Sequence, residues 1–259
     1  MINSKHIRER IAYVIPSCDQ YVDLWPVLFG SLAKFWPANS FRKYLITNHL
    51  VPLIEDVKIL AIGDDVSWSD NLSNCLAKIG EDYIFLHIED LIVCDYVDDD
   101  KLCSIINKFI LRGGNYLRLN PTPRGVNVEG ELDIVPVGDI YRASTVFSIW
   151  RKDVLRSVLL PGESAWAFEI YGSSRTDCFD EWFAAKEYLL SYVNLVIKGK
   201  IDSRALATLN ERGVTYSAER PILTKLETLK LVAREKRSAV FELLPRRLKR
   251  VIWQVFKSA

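Results

Sequence analysis

Three histidines and five cysteines are all that this 259-residue chain offers toward metal–imidazole or thiol chemistry. His6, His49 and His87 lack ligand spacing, and Cys18, Cys75, Cys94, Cys103 and Cys178 form no C-x-x-C pair. An odd, scattered set of thiols argues against a zinc site and a disulfide framework, and suits a reducing cytosol. An excess of one charge is missing too: 34 Lys and Arg stand against 33 Asp and Glu, a formal net charge of +1 that speaks against whole-protein affinity for nucleic acid. No apolar run reaches the roughly 18 residues of a membrane span. The N-terminal MINSKHIRERIAYVIPSCD is a short strand after charged residues and does not read as a signal peptide. Repeats and low-complexity tracts are absent, as are a Walker signature and a G-x-G-x-x-G turn; Gly113 and Gly114 read as a helix end. No Cys, His and Asp cluster points to a nucleophilic hydrolase.

What remains is an apolar chain of ordinary enzyme size. With 49% hydrophobic residues it can bury the core of a single α/β domain. Strand and helix patterns alternate. AYVIPSCD (Ala12 to Asp19) is an apolar strand broken at Pro16, and Asp23 to Trp36 carries Leu24, Val27, Leu28, Leu32 and Phe35 on one helical face until Pro37 stops it. RKYLITN and VKILAIG read as further strands. Between Asp64 and Gly80, Leu72, Cys75, Leu76 and Ile79 recur at helical spacing, with Ser69 or Asp70 as the expected cap. Val97 to Arg112 reads as a helix whose opening Asp98, Asp99 and Asp100 complement its dipole. NYLRLNPTP is another strand, Pro121 to Gly138 a loop or hairpin, and Tyr141 to Leu159 a strand running into a helix.

The most informative stretch is DYIFLHIED, Asp82 to Asp90. Tyr83 to Leu86 follow one another without polar alternation, as in a strand covered on both faces of a mostly parallel sheet. Such a strand delivers Glu89 and Asp90 to the sheet's carboxyl edge, where open α/β sheets bind ligands and where paired carboxylates can hold a hard divalent cation against phosphate oxygens.

Together these segments resemble the GT-A nucleotide-sugar glycosyltransferases, and more loosely the bacterial surface-polysaccharide enzymes among them. Pro16, Ser17 and Cys18 match the family's first-strand turn, and Trp68, Ser69, Asp70 and Asn71 sit where it places a polar helix start. Glu89 and Asp90 sit where it places D-x-D, although this chain has an adjacent pair. The resemblance covers roughly the first half. It implies a GT-A-like (Rossmann-like), mostly parallel sheet flanked by helices. It also implies that Ser17, Asp19, Asp64, Asp65, Trp68 and Asn71 contact the nucleotide-sugar donor, and that Glu89 and Asp90 hold Mg²⁺ or Mn²⁺ on its diphosphate.

The second half is expected to bind the acceptor, a glycan or lipid-linked glycan, and to supply the base of an inverting transfer. Glu163 to Glu169 is read as helical, placing Glu163, Trp166 and Glu169 on one broad face. Glu169 is the first choice for the base and Glu163 the second, with Trp166 and Phe168 building an apolar pocket that raises the carboxyl pKa. Lys198 and Lys200 flank a turn glycine and read as solvated. After Pro245, RRLKRVIWQVFKSA puts Leu248, Val251, Ile252, Val255 and Phe256 on one face, with Arg246, Arg247, Lys249, Arg250 and Lys257 supplying charge without any acid. That pattern suits an anchor on an anionic membrane surface, and divides the chain into a catalytic domain, 1–221, and a C-terminal helical segment, 222–259. A nucleotidyltransferase and a catalytically silent carbohydrate-binding or scaffold protein are the competing readings.

Overall fold

The computed structural model describes residues 4–126, 130–217 and 219–245, together with Leu248, Lys249 and Ile252. The first half runs α1 (Ser4–Glu9), β1 (Ile11–Pro16), α2 (Trp25–Phe35), β2 (Arg42–Thr47), β3 (Val57–Ala61), α3 (Trp68–Leu76), β4 (Tyr83–Leu86), β5 (Leu91–Val93) and α4 (Asp99–Leu111). It continues with β6 (Tyr116–Arg118), β7 (Leu132–Ile134), β8 (Ser148–Arg151), α5 (Lys152–Val158), α6 (Ala165–Arg175) and β9 (Trp182–Ala185). The last elements are β10 (Tyr192–Asn194), β11 (Val196–Ile197), β12 (Lys200–Ile201), α7 (Ser203–Glu211) and α8 (Lys225–Glu242).

An 8-stranded sheet in the order β3-β2-β1-β4-β8-β6-β9-β7 forms the centre. β3, β2, β1 and β4 are parallel neighbours, with Ile11 opposite Tyr83 and Val14 opposite Leu86. β8 runs antiparallel between β4 and β6, β9 returns parallel to β6, and β7 closes the edge antiparallel. The sheet is therefore mostly parallel and flanked by helices, as the sequence implies.

The unbroken YIFL run follows from this layering. Phe85 and Tyr13 point into one core with Trp36 and Phe41, while Ile84, Leu86 and Val14 point into the other with Leu72, Trp150 and Phe168. Removing one such ring, as in Phe85→Ala, would cost about 3–5 kcal/mol. Local signals set the helices: the Asp98 side chain accepts from Lys101 N at 3.0 Å and caps α4, with Asp99 and Asp100 in its first turn. The cap of α3 is Ser67, earlier than the expected Ser69 or Asp70. Its extended backbone lets Oγ turn back to accept from Asp70 N at 3.1 Å.

Beyond β12 the chain stays knitted to the body: Ile201 N donates to Pro221 O (2.8 Å) and Leu223 N to Ile201 O (2.9 Å). Thr224 and Glu227 then form a capping box for α8, and Glu227 also accepts Lys200 Nζ at 2.7 Å. Among the described residues no helix is long and apolar enough to cross a membrane. The basic amphipathic tail expected after Pro245 lies, apart from Leu248, Lys249 and Ile252, outside the described residues.

Candidate active site

The carboxyl ends of β1, β2 and β4 meet along one edge of the sheet. Just past β1, Ser17 Oγ accepts the indole N–H of Trp25 at 2.9 Å. The Asp19 carboxylate accepts the backbone N–H groups of Asn48 (3.0 Å), His49 (2.9 Å) and Leu50 (3.1 Å), while its own N–H donates to Asn48 Oδ1 at 3.0 Å. Burial alone would raise this carboxyl, but the N–H donors outweigh it and hold Asp19 below the ordinary range. Asp19 thus clamps the loop after β2 onto the turn after β1. Asp64 is 98% exposed and meets His49 Nε2 at 3.0 Å. Asp65 accepts the side-chain amide of Asn71, and Trp68, at the start of α3, packs its ring 5.4 Å from Phe168.

Glu89 and Asp90 lie between β4 and β5, at this same edge. Burial, and then the neighbouring Asp90 charge, push the Glu89 carboxyl up to about 8; burial pushes Asp90 up to about 6. The Asn194 amide, turned to satisfy its surroundings, donates to Val196 O at 2.9 Å and Asp90 Oδ2 at 3.3 Å. His87 is not free to join the pair. Its Nε2 faces Leu91 O and its Nδ1 faces Tyr13 OH, both at 2.6 Å, and burial lowers its pKa to about 4, so the ring is neutral.

Cationic compensation near the acids comes from far along the chain. Arg220 stacks 4.6 Å over Tyr21, donates to both oxygens of Asp23 (2.6 and 2.7 Å) and to Gln20 O, and partly offsets the rise at Glu89. Tyr216 donates to the same Asp23 carboxylate. Two adjacent, largely buried carboxylates with one partial counter-charge form a hard oxygen donor set. Such a set fits Mg²⁺ or Mn²⁺ shared with phosphate oxygens. Among the described residues no group of three or more His, Cys, Asp or Glu is placed to hold a metal ion, so the pair would need the ligand's own oxygens to complete a site.

The two base candidates separate. α6 begins at Ala165 with Ser164 as its cap, so Glu163 precedes the helix and does not share a face with Glu169. Glu163 is held by Arg175 through two hydrogen bonds of 3.0 and 2.6 Å, and its backbone N–H and C=O bond Ser69 Oγ and Ser69 N at 3.1 Å, tying this loop to α3. Glu169 faces the sheet. Its Oε1 accepts Thr145 N (2.6 Å), Thr145 Oγ1 (2.9 Å) and Ser144 Oγ (3.1 Å), while among the described residues Oε2 has no hydrogen bond. Burial raises the Glu169 carboxyl despite these donors. The expected pocket of Trp166 and Phe168 is not what raises it: Phe168 belongs to the core and Trp166 is 61% exposed.

Strand β10 connects the two acidic groups. Tyr192, at its start, is pushed up to about 12, first by burial and then by the nearby Tyr188 hydroxyl and Glu169. The strand pairs antiparallel with β5, and Leu195 N just beyond it donates to Asp90 O at 2.8 Å. Tyr192, Ser144, Thr145 and Arg220 were not legible as site residues; they carry no motif and converge only through sheet topology.

The sequence matches no protein-family model and no curated relative. Its fold does match solved structures. S. aureus TarS 1–349 in complex with UDP-GlcNAc aligns with TM-score 0.51 and 14% identity over 74% of this chain and 60% of that one; the complex with UDP gives 0.51 and 13% over 81% and 67%. A mannosyltransferase from Pyrobaculum calidifontis, PcManGT, in complex with GDP-Man and Mn²⁺, aligns at 0.49 with 8% identity over 73% and 58%. Against another TarS 1–349 structure the chain spans 59% of the length it is compared with. The strand order, the acid pair at the carboxyl edge and the likeness to TarS agree: this chain has the GT-A fold of nucleotide-sugar glycosyltransferases.

Proposed function

We propose that this protein transfers a sugar from a nucleotide-sugar donor to a hydroxyl of a glycan or lipid-linked glycan, with inversion at the anomeric carbon. The observation that carries the reading is Glu169: buried, raised in pKa, fixed through Oε1 and, among the described residues, without a hydrogen bond at Oε2. A carboxylate so poised is suited to accept the acceptor hydroxyl's proton as its oxygen bonds the anomeric carbon and the bond to the diphosphate breaks. Ser17, Asp19, Asp64, Asp65, Trp68 and Asn71 form the donor side of the crevice in this reading. Glu89 and Asp90 hold Mg²⁺ or Mn²⁺, which when bound stabilises charge on the departing nucleoside diphosphate. Residues 1–221 act as the catalytic unit, and 222–259 as a helical extension whose basic end rests on the inner face of a membrane.

The test is product analysis. Purified protein is incubated with UDP-, GDP-, CDP- and dTDP-sugars and Mn²⁺ or Mg²⁺. Slow release of nucleoside diphosphate and free sugar is the expected result. Pyrophosphate release from a nucleoside triphosphate and a sugar phosphate would overturn it in favour of nucleotidyl transfer. Silence toward every nucleotide, with carbohydrate binding retained, would leave a binding or scaffold protein.

A further inference from the structure

His87 is fully buried, and the donor, metal and base roles leave it unused. Its backbone N–H donates to Val14 O at 3.0 Å, so pairing with β1 runs one residue beyond β4 and brings the imidazole beside Tyr13. Both ring nitrogens have a partner at 2.6 Å: Nδ1 the hydroxyl of Tyr13, Nε2 the carbonyl oxygen of Leu91. A carbonyl only accepts, so Nε2 carries the proton; the neutral ring then has one acceptor left, and the Tyr13 hydroxyl donates to it. Tyr13 thereby favours the tautomer that can bond Leu91.

That bond spans the turn carrying the acid pair. His87 stands before Glu89 and Asp90 and Leu91 after them, so the side chain closes the turn from outside the backbone. Within it Leu91 N donates to Ile88 O at 3.1 Å, and Leu195 N reaches Asp90 O at 2.8 Å from beyond β10. The imidazole is itself held in place. Its ring centre lies 4.4 Å from that of Phe147 and 5.6 Å from that of Tyr13. Phe147 takes a φ of +41°, a left-handed conformation that a phenylalanine enters only at a cost, and its ring also packs on Tyr192 at 5.1 Å.

We infer that His87, in the tautomer that Tyr13 favours, is a positioning residue for Glu89 and Asp90: its N–H to Leu91 O fixes the turn that presents the two carboxylates to a divalent cation and the donor's diphosphate. The inference deepens the transfer reading and rests on it for the identity of that ligand. Without the bond, backbone contacts alone hold the turn, and the population competent to bind falls. Apparent affinity falls by the same fraction, which for one hydrogen bond amounts to at most about tenfold.

Two amide substitutions separate position from chemistry. In His87→Gln the amide reaches the place of Nε2 and can still donate to Leu91 O; in His87→Asn it stops near the place of Nδ1, beside Tyr13. Calorimetry on the full chain uses Mn²⁺ alone, then UDP and GDP with Mn²⁺ or with EDTA. His87→Asn is expected to weaken Mn²⁺ and the Mn²⁺-dependent part of nucleotide affinity about five- to tenfold, with affinity in EDTA changed less than about twofold. His87→Gln is expected to stay within about twofold of wild type throughout. A merely structural histidine would lower the thermal midpoint of the Asn variant and leave its Mn²⁺ affinity intact, and that result overturns the inference. A Gln variant as impaired as the Asn variant overturns it too. Should neither variant fold, ¹⁵N-histidine NMR and Tyr13→Phe, which keeps the ring and removes only the hydroxyl, decide. The wild-type ring is expected to be neutral with its proton on Nε2, and Tyr13→Phe to speed exchange of that proton and weaken Mn²⁺ about two- to threefold. A proton on Nδ1, or wild-type Mn²⁺ affinity in Tyr13→Phe, overturns the inference. A wild-type chain that ignores Mn²⁺ overturns it together with the metal role, whereas the expected Asn–Gln contrast without any donor turnover overturns the transfer reading alone.

Discussion

Replacing Glu169 by Gln separates proton transfer from architecture. Among the described residues, Oε1 takes all three hydrogen bonds at this side chain, from Thr145 N, Thr145 Oγ1 and Ser144 Oγ. A glutamine can keep its carbonyl oxygen in that position and turn its NH₂ toward the crevice, so fold and donor binding survive. What is lost is the basic lone pair. General-base catalysis typically contributes about 10²–10⁴-fold, or about 3–5 kcal/mol of barrier, and single-turnover transfer should fall by that factor with donor KM unchanged. Glu163→Gln provides the contrast. It weakens the paired hydrogen bonds to Arg175, so it should lower the thermal midpoint and leave the transfer rate within about threefold. A Glu169→Gln enzyme within tenfold of wild type would refute the assignment. A Glu163→Gln enzyme with the larger rate defect and an unchanged midpoint would reverse it.

The acid pair predicts a further loss: Asp90→Asn should remove most turnover and the Mn²⁺-dependent part of UDP affinity in calorimetry, while its backbone carbonyl still receives Leu195 N and keeps the fold. Full activity of that variant in chelator would sink the metal role. Glu89 predicts a pH effect, since its native pKa of about 8 lies above the ordinary 4.5: the native state binds more protons than the unfolded state in between, and stability falls as pH rises through that window. His87, native pKa about 4 against 6.5, gives the opposite slope below 6.5, so the clean interval is about pH 6.5 to 8; there the metal-free thermal midpoint should decline, and Glu89→Gln should flatten it. Removing residues after Pro245 should abolish sedimentation with anionic liposomes, each basic residue being worth about 1 kcal/mol at the surface, and preserve donor hydrolysis. Unfolding on truncation, or indifference of the full chain to such liposomes at low salt, would mean that the stripe packs internally.

How much of this was readable in the sequence depends on where the information lies. The parallel half is legible because each element signals itself. Tyr83 to Leu86 lie under helices on both faces and so read as an unbroken apolar strand, and Asp98 is a capping residue placed just before a helical repeat. The other half is written in contacts between distant residues. β7, of three residues with Ile134 42% exposed at the sheet edge, lacks a periodic pattern long enough to find. Helical spacing likewise put Glu163 and Glu169 on one face because it does not register that Ser164, a better cap than its predecessor, starts the helix at Ala165, two residues later.

The same distinction explains why the two acids of the pair and the expected base could be named but their relation could not. Glu89, Asp90 and Glu169 each stand in a local motif. Between them runs β10, three residues with no signal of their own, which pairs antiparallel with β5 just beyond the acid pair and brings Tyr192 into the field of Glu169. A base must stand within hydrogen-bond reach of an acceptor bound against the donor. The register of this short strand, Tyr192 opposite Val93 and Asn194 opposite Leu91, sets where Tyr192 lies relative to Glu89 and Asp90. A one-residue slip would turn Tyr192 to the opposite face of its strand. The position of Tyr192 relative to the acid pair is thus set by the segment that says least in sequence.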